Sequence, residues 1–373
     1  MNITPKFYVN LWGSLQGNLN AILWPNVTKA WDEKRYQDSV HGLLDYINPG
    51  LRSKYGNSNQ TQFTVPHGSV VVDIQIKDDK LNVTCPLVDI TDAMRIPLMR
   101  KVAELNFWPL TISQIKLKAN QLTFQYSTTL DTCEPYKIYY LLKEICSTAD
   151  RYDDELREKF KAKSLVAPKV VYPSAENINK AWDETNAIIN ETFQYQAYFD
   201  VQRWQGSSMD FFMIALKRID LCIQTQGFLK TEIERIMTDL NNAQISVTER
   251  NTTASKFLKD LQVKGKEAFT RHLYQVDTFV PEKPSINGDK VKGMIKEAIA
   301  KTVTFHNQKN YIASCIESLY LIYDLFYRNN MENTVNIVLL NTLTNASGKS
   351  WADASGVLLS GLQTIETTPF PTN

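Results

Sequence analysis

The side chains with the greatest chemical potential in this sequence are few and widely spaced. Ser347-Gly348-Lys349-Ser350, behind the apolar run Val335 to Leu340, has the look of the end of a phosphate-binding loop. Such a loop needs an earlier glycine so that successive backbone N–H groups can curl around phosphate oxygens. Leu343 takes that place, and residues 351–373 leave no room for a later strand carrying a Mg²⁺-holding acid. The segment reads instead as a helix end at Gly348 and a new helix start at Ser350. His41, His67, His272 and His306 form no H-x-x-x-H pair and no Cys/His pair suited to a metal. His41 and Asp45 share a helix face, which can orient an imidazole, but no nucleophile accompanies them. His67 sits in a Pro-His-Gly turn, and a structural role is expected for both histidines. Cys85 and Cys146 fall on apolar stripes, where a thiol is a small filler without the electropositive setting of a reactive thiolate.

Two kinds of binding residue remain. Lys256, Lys259, Lys264, Lys266 and Arg271 carry Phe257 and Phe269 among them, and interleaved aromatics can stack on bases. Asp260 and Glu267 dilute that charge, so the stretch reads as a solvated helix face. Phe193, Tyr195, Tyr198, Phe199 and Trp204 form an aromatic cluster, and Phe107-Trp108 is an aromatic pair at a helix end. Aromatics bury large area at small entropy cost, which suits a binding site, although at helical spacing they also build cores. Phe107, Trp108, Tyr195, Tyr198 and Trp204 are therefore the candidate partner-binding residues. No catalytic residue, cofactor or metal site is expected.

Composition narrows the partners. Lys+Arg number 41 against Asp+Glu 40, so no field of one sign exists to attract nucleic acid or an anionic membrane. The five cysteines are far apart and odd in number, which suits a reducing compartment rather than a disulfide framework. Residues 7–24 are apolar but broken by Asn10, Gly13, Gln16, Gly17, Asn18 and Asn20, unlike a signal peptide. No run approaches the roughly 18–20 apolar residues that span a bilayer. A cytoplasmic location, with no membrane, is expected.

The elements that must carry these residues follow from periodicity. Tyr36, Val40, Leu43, Leu44 and Ile47 mark one face of a helix that opens near Asn26 and breaks at Asn48-Pro49-Gly50. Gln62 to Val65 is a short strand. Val70, Val72, Ile74 and Ile76, then Leu81, Val83 and Cys85, alternate across a Lys77-Asp78-Asp79-Lys80 turn, the pattern of a hairpin with one buried face. A helix over about Met94 to Asn106 follows. Ile115 and Leu117, then Leu122, Phe124 and Tyr126, give a second hairpin. Pro135 opens a long helix with the face Ile138, Leu142, Ile145, Ala149, Tyr152, Leu156 and Phe160. Its charged end, Arg151 to Lys163, places Asp153–Arg157 and Glu155–Lys159 four apart and reads as solvated.

This order, α-βββ-α-ββ-α, resembles the fold shared by type III secretion chaperones and the YbjN family. The segments that carry the resemblance are Thr64 to Val72, Leu81 to Val88, Ile115 to Tyr126 with Asn120 at the turn, and Cys133-Glu134-Pro135-Tyr136-Lys137. It covers residues from about 26 to 163. It implies an antiparallel sheet with helices on one face, and, in the chaperone branch, a surface that holds an extended partner segment.

Lys161 to Pro173, with Pro168, loses periodicity and reads as a linker. Beyond it, stripes such as Phe211, Phe212, Ala215, Ile219, Cys222 and Ile223 are helical. Val291 to Val303 and Ile312 to Phe326 flank a break at Asn307 to Asn310, as in a helical hairpin. Asn26 to Glu33 echoes Asn177 to Glu184, one helix-opening sequence used twice. The expectation is an α+β domain over 1–165, able to fold alone, followed by an all-α domain over 174–373 with a frayed tail from Thr367. The expected role is a protein-binding, chaperone-like adaptor or scaffold whose partner is another protein. A self-assembling homo-oligomer is the alternative, and an enzyme with a site at the domain junction a third reading.

Overall fold

The computed structural model describes residues 4–11, 19–166 and 170–370. The reading of residues 7–24 falls in part on 12–18, that of the linker on 167–169 and that of the tail on 371–373, all outside the described residues. The chain forms an α+β unit and a helical unit, each discontinuous in sequence. The α+β unit takes the chain up to Tyr172 and again over Tyr274–Glu282; the helical unit takes the N-terminal segment, Pro173–Leu273 and Lys283 onward. Sequence periodicity sees neither exchange, because both segments are short and irregular. They dock by a few residues, Phe7 in one and Phe279 and Val280 in the other, each buried in its unit's core.

In the α+β unit, α1 (Trp24–Asp32) and α2 (Tyr36–Ile47) replace the single expected helix. The break falls at Lys34, whose φ of 60° is left-handed. Arg35 clamps the corner by bonding Glu33 and Asp38. The first helix opens at Trp24 rather than Asn26, with Pro25 in its first turn. A short α3 (Leu51–Tyr55) follows the left-handed Gly50. Strands β1 (Gln62–His67), β2 (Val70–Lys77) and β3 (Lys80–Asp89) form the first hairpins, and β4 (Gln114–Lys118) and β5 (Gln121–Thr129) the second. All pairs are antiparallel in the order β1-β2-β3-β5-β4, with β6 (Lys163–Ser164) added to β3. The turn Asp78-Asp79 has positive φ at both residues, the geometry that suits the twist of a two-residue hairpin. Helices α4 (Arg95–Phe107) and α5 (Pro135–Phe160) pack with the sheet, so that Val83, Cys85, Phe124, Leu98, Ile138 and Ile145 share one core.

The helical unit contains α6 (Ala175–Gln202), α7 (Gln205–Ile223), α8 (Gly227–Asn241), α9 (Val247–Thr270), α10 (Gly288–Asn307), α11 (Tyr311–Arg328), α12 (Asn333–Ala346) and α13 (Trp351–Thr367). Helices α10 and α11 make the expected hairpin around Asn307 to Asn310. A two-residue parallel pair joins β7 (Ser285–Ile286) to β8 (Asn330–Met331). The N-terminal segment locks onto the α12–α13 corner. Thr4 N–H donates to the Lys349 carbonyl at 2.7 Å, Phe7 N–H to Ser347 Oγ at 2.9 Å, and the Tyr323 hydroxyl to the Phe7 carbonyl. Gly348 is left-handed beyond α12 and Ser350 caps α13 through the Asp353 N–H. That corner is a helix–helix turn, as its sequence indicates. Among the described residues no helix is long and apolar enough to cross a membrane.

Candidate interaction surface

The sequence candidates separate by exposure. Phe107 is 89% exposed and Trp108 72%. Tyr195 is 4% exposed, packed against Phe199, Phe211 and Trp351 in the helical unit's core. Tyr198 is partly buried on the same core, and Trp204 is 44% exposed at the start of α7. Phe269 of the basic stretch is buried, so it has no face to offer a base.

The α+β unit carries a second aromatic group that periodicity alone did not single out. The Trp24 ring lies 4.9 Å from Tyr46 and 4.6 Å from Tyr136; Tyr46 lies 6.0 Å from Tyr139, and Tyr139 5.4 Å from Tyr140. Trp24 Nε1–H donates to the Tyr136 hydroxyl at 3.2 Å. Tyr136 and Tyr140 are 54% and 56% exposed. Helix geometry explains the arrangement. Ile138, Leu141, Leu142 and Ile145 face the sheet, which turns Tyr136 and Tyr140, one turn apart, outward. Tyr139 lies between, and burial pushes its hydroxyl up to about 12. Burial also raises Tyr46. Burial thus keeps the Tyr46 and Tyr139 hydroxyls neutral.

Glu144 extends the same face by another turn. Its carboxylate accepts the backbone N–H of Thr111 at 2.6 Å and of Ser113 at 2.8 Å, along with both hydroxyls. Burial acts to raise its pKa, but these bonds, led by Ser113, outweigh burial and hold it lowered. Glu144 thus ties the loop over Thr111, Ile112 and Ser113, a few residues beyond Trp108, to α5.

The sheet edges are covered in part. Asn106 accepts the Ile115 N–H at 2.8 Å and donates to the Ile115 carbonyl at 3.0 Å. A β4 residue whose N–H and C=O both bond outside the β5 pairing points them outward, so Asn106 covers the free edge at Ile115. At the other edge, Gly56 bridges Phe63, Pro66 has no N–H to offer, and Gly68 N–H is taken by the Asp277 carbonyl at 3.1 Å.

A third cluster lies under the strap of residues 274–282. The acids at the end of α5 are buried, not solvated: Asp150, Asp153, Asp154 and Glu155 all face inward. The expected Asp153–Arg157 and Glu155–Lys159 pairs do form. The inward turn follows from partners distant in sequence. Asp150 accepts from Ser69 N–H at 2.6 Å, the single Ser69 hydroxyl proton is shared between Asp150 at 3.0 Å and Asp153 at 2.8 Å, and Arg157 serves Asp153 and Asp154. Burial pushes the Asp153 carboxyl up to about 7, although Arg157 pulls it down. Gly68 is left-handed, and a Cβ there would run into the Asp150 carboxylate.

A ring nitrogen of His67 and one carboxylate oxygen each of Asp150 and Glu282 lie within 4.8 Å of one another, a span that a cation can bridge. The hydrogen bonds decide against that use. Phe279 and Val280 N–H donate to His67 Nδ1 at 3.0 and 3.4 Å. Nδ1 is thus the acceptor, and the neutral ring carries its proton on Nε2. A metal on Nε2 needs the proton on Nδ1 instead, where it would face two donors. The remaining histidine and cysteine readings are structural. His41 Nε2 bonds the Gln60 carbonyl at 2.8 Å, while Asp45 holds Arg52. Cys85 and Cys146 are fully buried, and burial raises both thiols.

No protein-family model and no curated protein matches this chain.

Proposed function

We propose that the chain is a protein-binding adaptor whose α+β unit takes its partner on the aromatic face built from Trp24, Tyr46, Tyr136, Tyr139 and Tyr140 and continued by Phe107 and Trp108. The observation that carries this reading is the exposure of Tyr136, Tyr140, Phe107 and Trp108 in one unit, with the loop after Trp108 tied to α5 by Glu144. Tyrosine and tryptophan offer large contact area with few rotors to freeze, and their polar tips bond a partner's backbone. Both sheet edges are blocked in part, at Ile115 on β4 and at Phe63 and Pro66 on β1, which favours side-chain docking over strand addition. The occupant is a segment of another protein that lays apolar side chains on the rings and carbonyls on the hydroxyls. The element order, which resembles type III secretion chaperones and the YbjN family, accords with a surface of this kind.

The test is quantitative capture from the native lysate by the intact chain, by the double variant Tyr136→Ala/Tyr140→Ala, and by Trp204→Ala. A stoichiometric protein retained by the wild type and by Trp204→Ala, and reduced at least about tenfold by the double variant, is the expected result. Equal capture by all three contradicts the assignment of the face.

A further inference from the structure

One anchor of the strap is an imidazole, His67. Val171 and Gln275 exchange both backbone bonds, at 3.0 and 2.8 Å. The Asp277 carboxylate accepts from Tyr55 at 2.9 Å and pairs with Lys54 at 3.2 Å, and the Tyr274 hydroxyl donates to Asp154 at 3.4 Å. At the far end the strap inserts Phe279 and Val280 into the core. Their two buried N–H groups share a single acceptor, His67 Nδ1. Away from water, an amide that loses its acceptor has no replacement.

Nδ1 accepts only while it holds a lone pair. A proton there places an N–H against two N–H donors. The groups facing the imidazole pull the other way. The Asp150 and Glu282 carboxylates lie within 4.8 Å; behind them stand Asp153, joined to Asp150 through Ser69, and then Asp154 with Arg157. On the strap side are Glu282 itself, Tyr274 and Asp277, the last paired with Lys54. Nearby carboxylates favour the imidazolium, whereas the two strap amides tolerate only the neutral ring.

We propose that His67 is a proton-operated latch for the strap: the neutral imidazole holds Phe279 and Val280, and the imidazolium, kept by Asp150 of α5, lets them go. The released state then binds one more proton than the docked state. Release is favoured as pH falls through the ordinary imidazole range near about 6.5, by about tenfold per pH unit. Asp153 has the opposite sense. Its raised carboxyl takes up a proton in the docked state below about 7, so it strengthens docking in acid. Acid release cannot come from that group.

Amide hydrogen exchange at Phe279 and Val280 in the full chain, corrected for intrinsic rate between about pH 5 and 8, tests the latch. The comparison is His67→Asn, whose side-chain oxygen stands where Nδ1 does and does not titrate. Protection at both amides is expected to fall about tenfold per pH unit below about 6.5 in the wild type and to stay level in the variant. The Val83 and Phe124 amides of the central strands serve as reference and stay protected. Level protection in the wild type, the same loss in His67→Asn, or a loss shared by Val83 and Phe124 overturns the proposal. If His67→Asn does not fold, the imidazole ¹⁵N shifts of the wild type decide. The Nε2–H tautomer at high pH, passing to imidazolium in step with lost protection, upholds the latch. The Nδ1–H tautomer, or protonation with protection intact, overturns it.

Discussion

Helix α5 treats its two halves in opposite ways. Its N-terminal half turns Tyr136 and Tyr140 to solvent, and its C-terminal half turns Asp150, Asp153 and Asp154 inward. The hydrophobic effect alone would place them the other way round. The Tyr195 cluster of the helical unit is the ordinary case. There Tyr195, Phe199, Phe211 and Trp351 come from α6, α7 and α13 and close into a core, with Tyr195–Phe211 centroids 4.5 Å apart. The ring spacings are similar in the two aromatic groups, so spacing does not separate a core from a surface. What separates them is how many elements close over the rings. An aromatic group left open at a surface, and an acid group drawn inside, both cost stability, and proteins keep such features where they serve a use.

The sharpest way to break the comparison is to remove a ring from each group. Phe199→Ala, at a fully buried ring, is expected to lower unfolding free energy by about 3–5 kcal/mol in denaturant titration. Near-neutral behaviour would mean that this cluster is not the core it looks to be. Asp153→Asn tests the acid half. Because the Asp153 carboxyl is raised, the folded state is best stabilised below its titration near 7 and loses that contribution as pH rises through it. The amide keeps the Ser69 bond without the charge, so the variant is expected to exceed the wild type at about pH 8, by on the order of 1–3 kcal/mol, and to lose its lead towards about pH 5. A lead that grows in acid would reverse the assigned direction. The smallest effect belongs to the exposed rings: Tyr136→Ala/Tyr140→Ala is expected to leave stability within about 1 kcal/mol of the wild type in the same titration. A larger loss would move these tyrosines from surface to scaffold.

Much of the fold could be read from periodicity. The alternation Val70, Val72, Ile74, Ile76 pairs as expected with Leu81 and Val83, and Pro135 does open the long helix. The α10–α11 hairpin and the helix cap at Ser350 were equally plain. Features decided by tertiary contacts were not. The corner at Lys34 was hidden for another reason: it is held by local bonds from Arg35 to Glu33 and Asp38, which leave no mark on the apolar spacing. The inward turn of Asp150 and Asp153 depends on Ser69, and the strap's place on His67. A lone His-Gly turn and a charged helix end give no sign of each other in sequence. Of the candidate surface, Phe107-Trp108 was visible as an aromatic pair after a helix. Tyr136 and Tyr140 were hidden because a tyrosine at helical spacing fits either face, and only the third dimension shows which face is covered. Tyr195 illustrates the converse.

Site-specific photo-crosslinking in the native cell tests the central claim most directly. A benzophenone amino acid is placed at position 140 on α5 and, in a separate chain, at position 204 in the helical unit. The aromatic-face account expects one discrete protein adduct from position 140, lost when Phe107 and Trp108 are both changed to alanine, and none from position 204. Adducts from position 204 alone, or none from position 140, would contradict it.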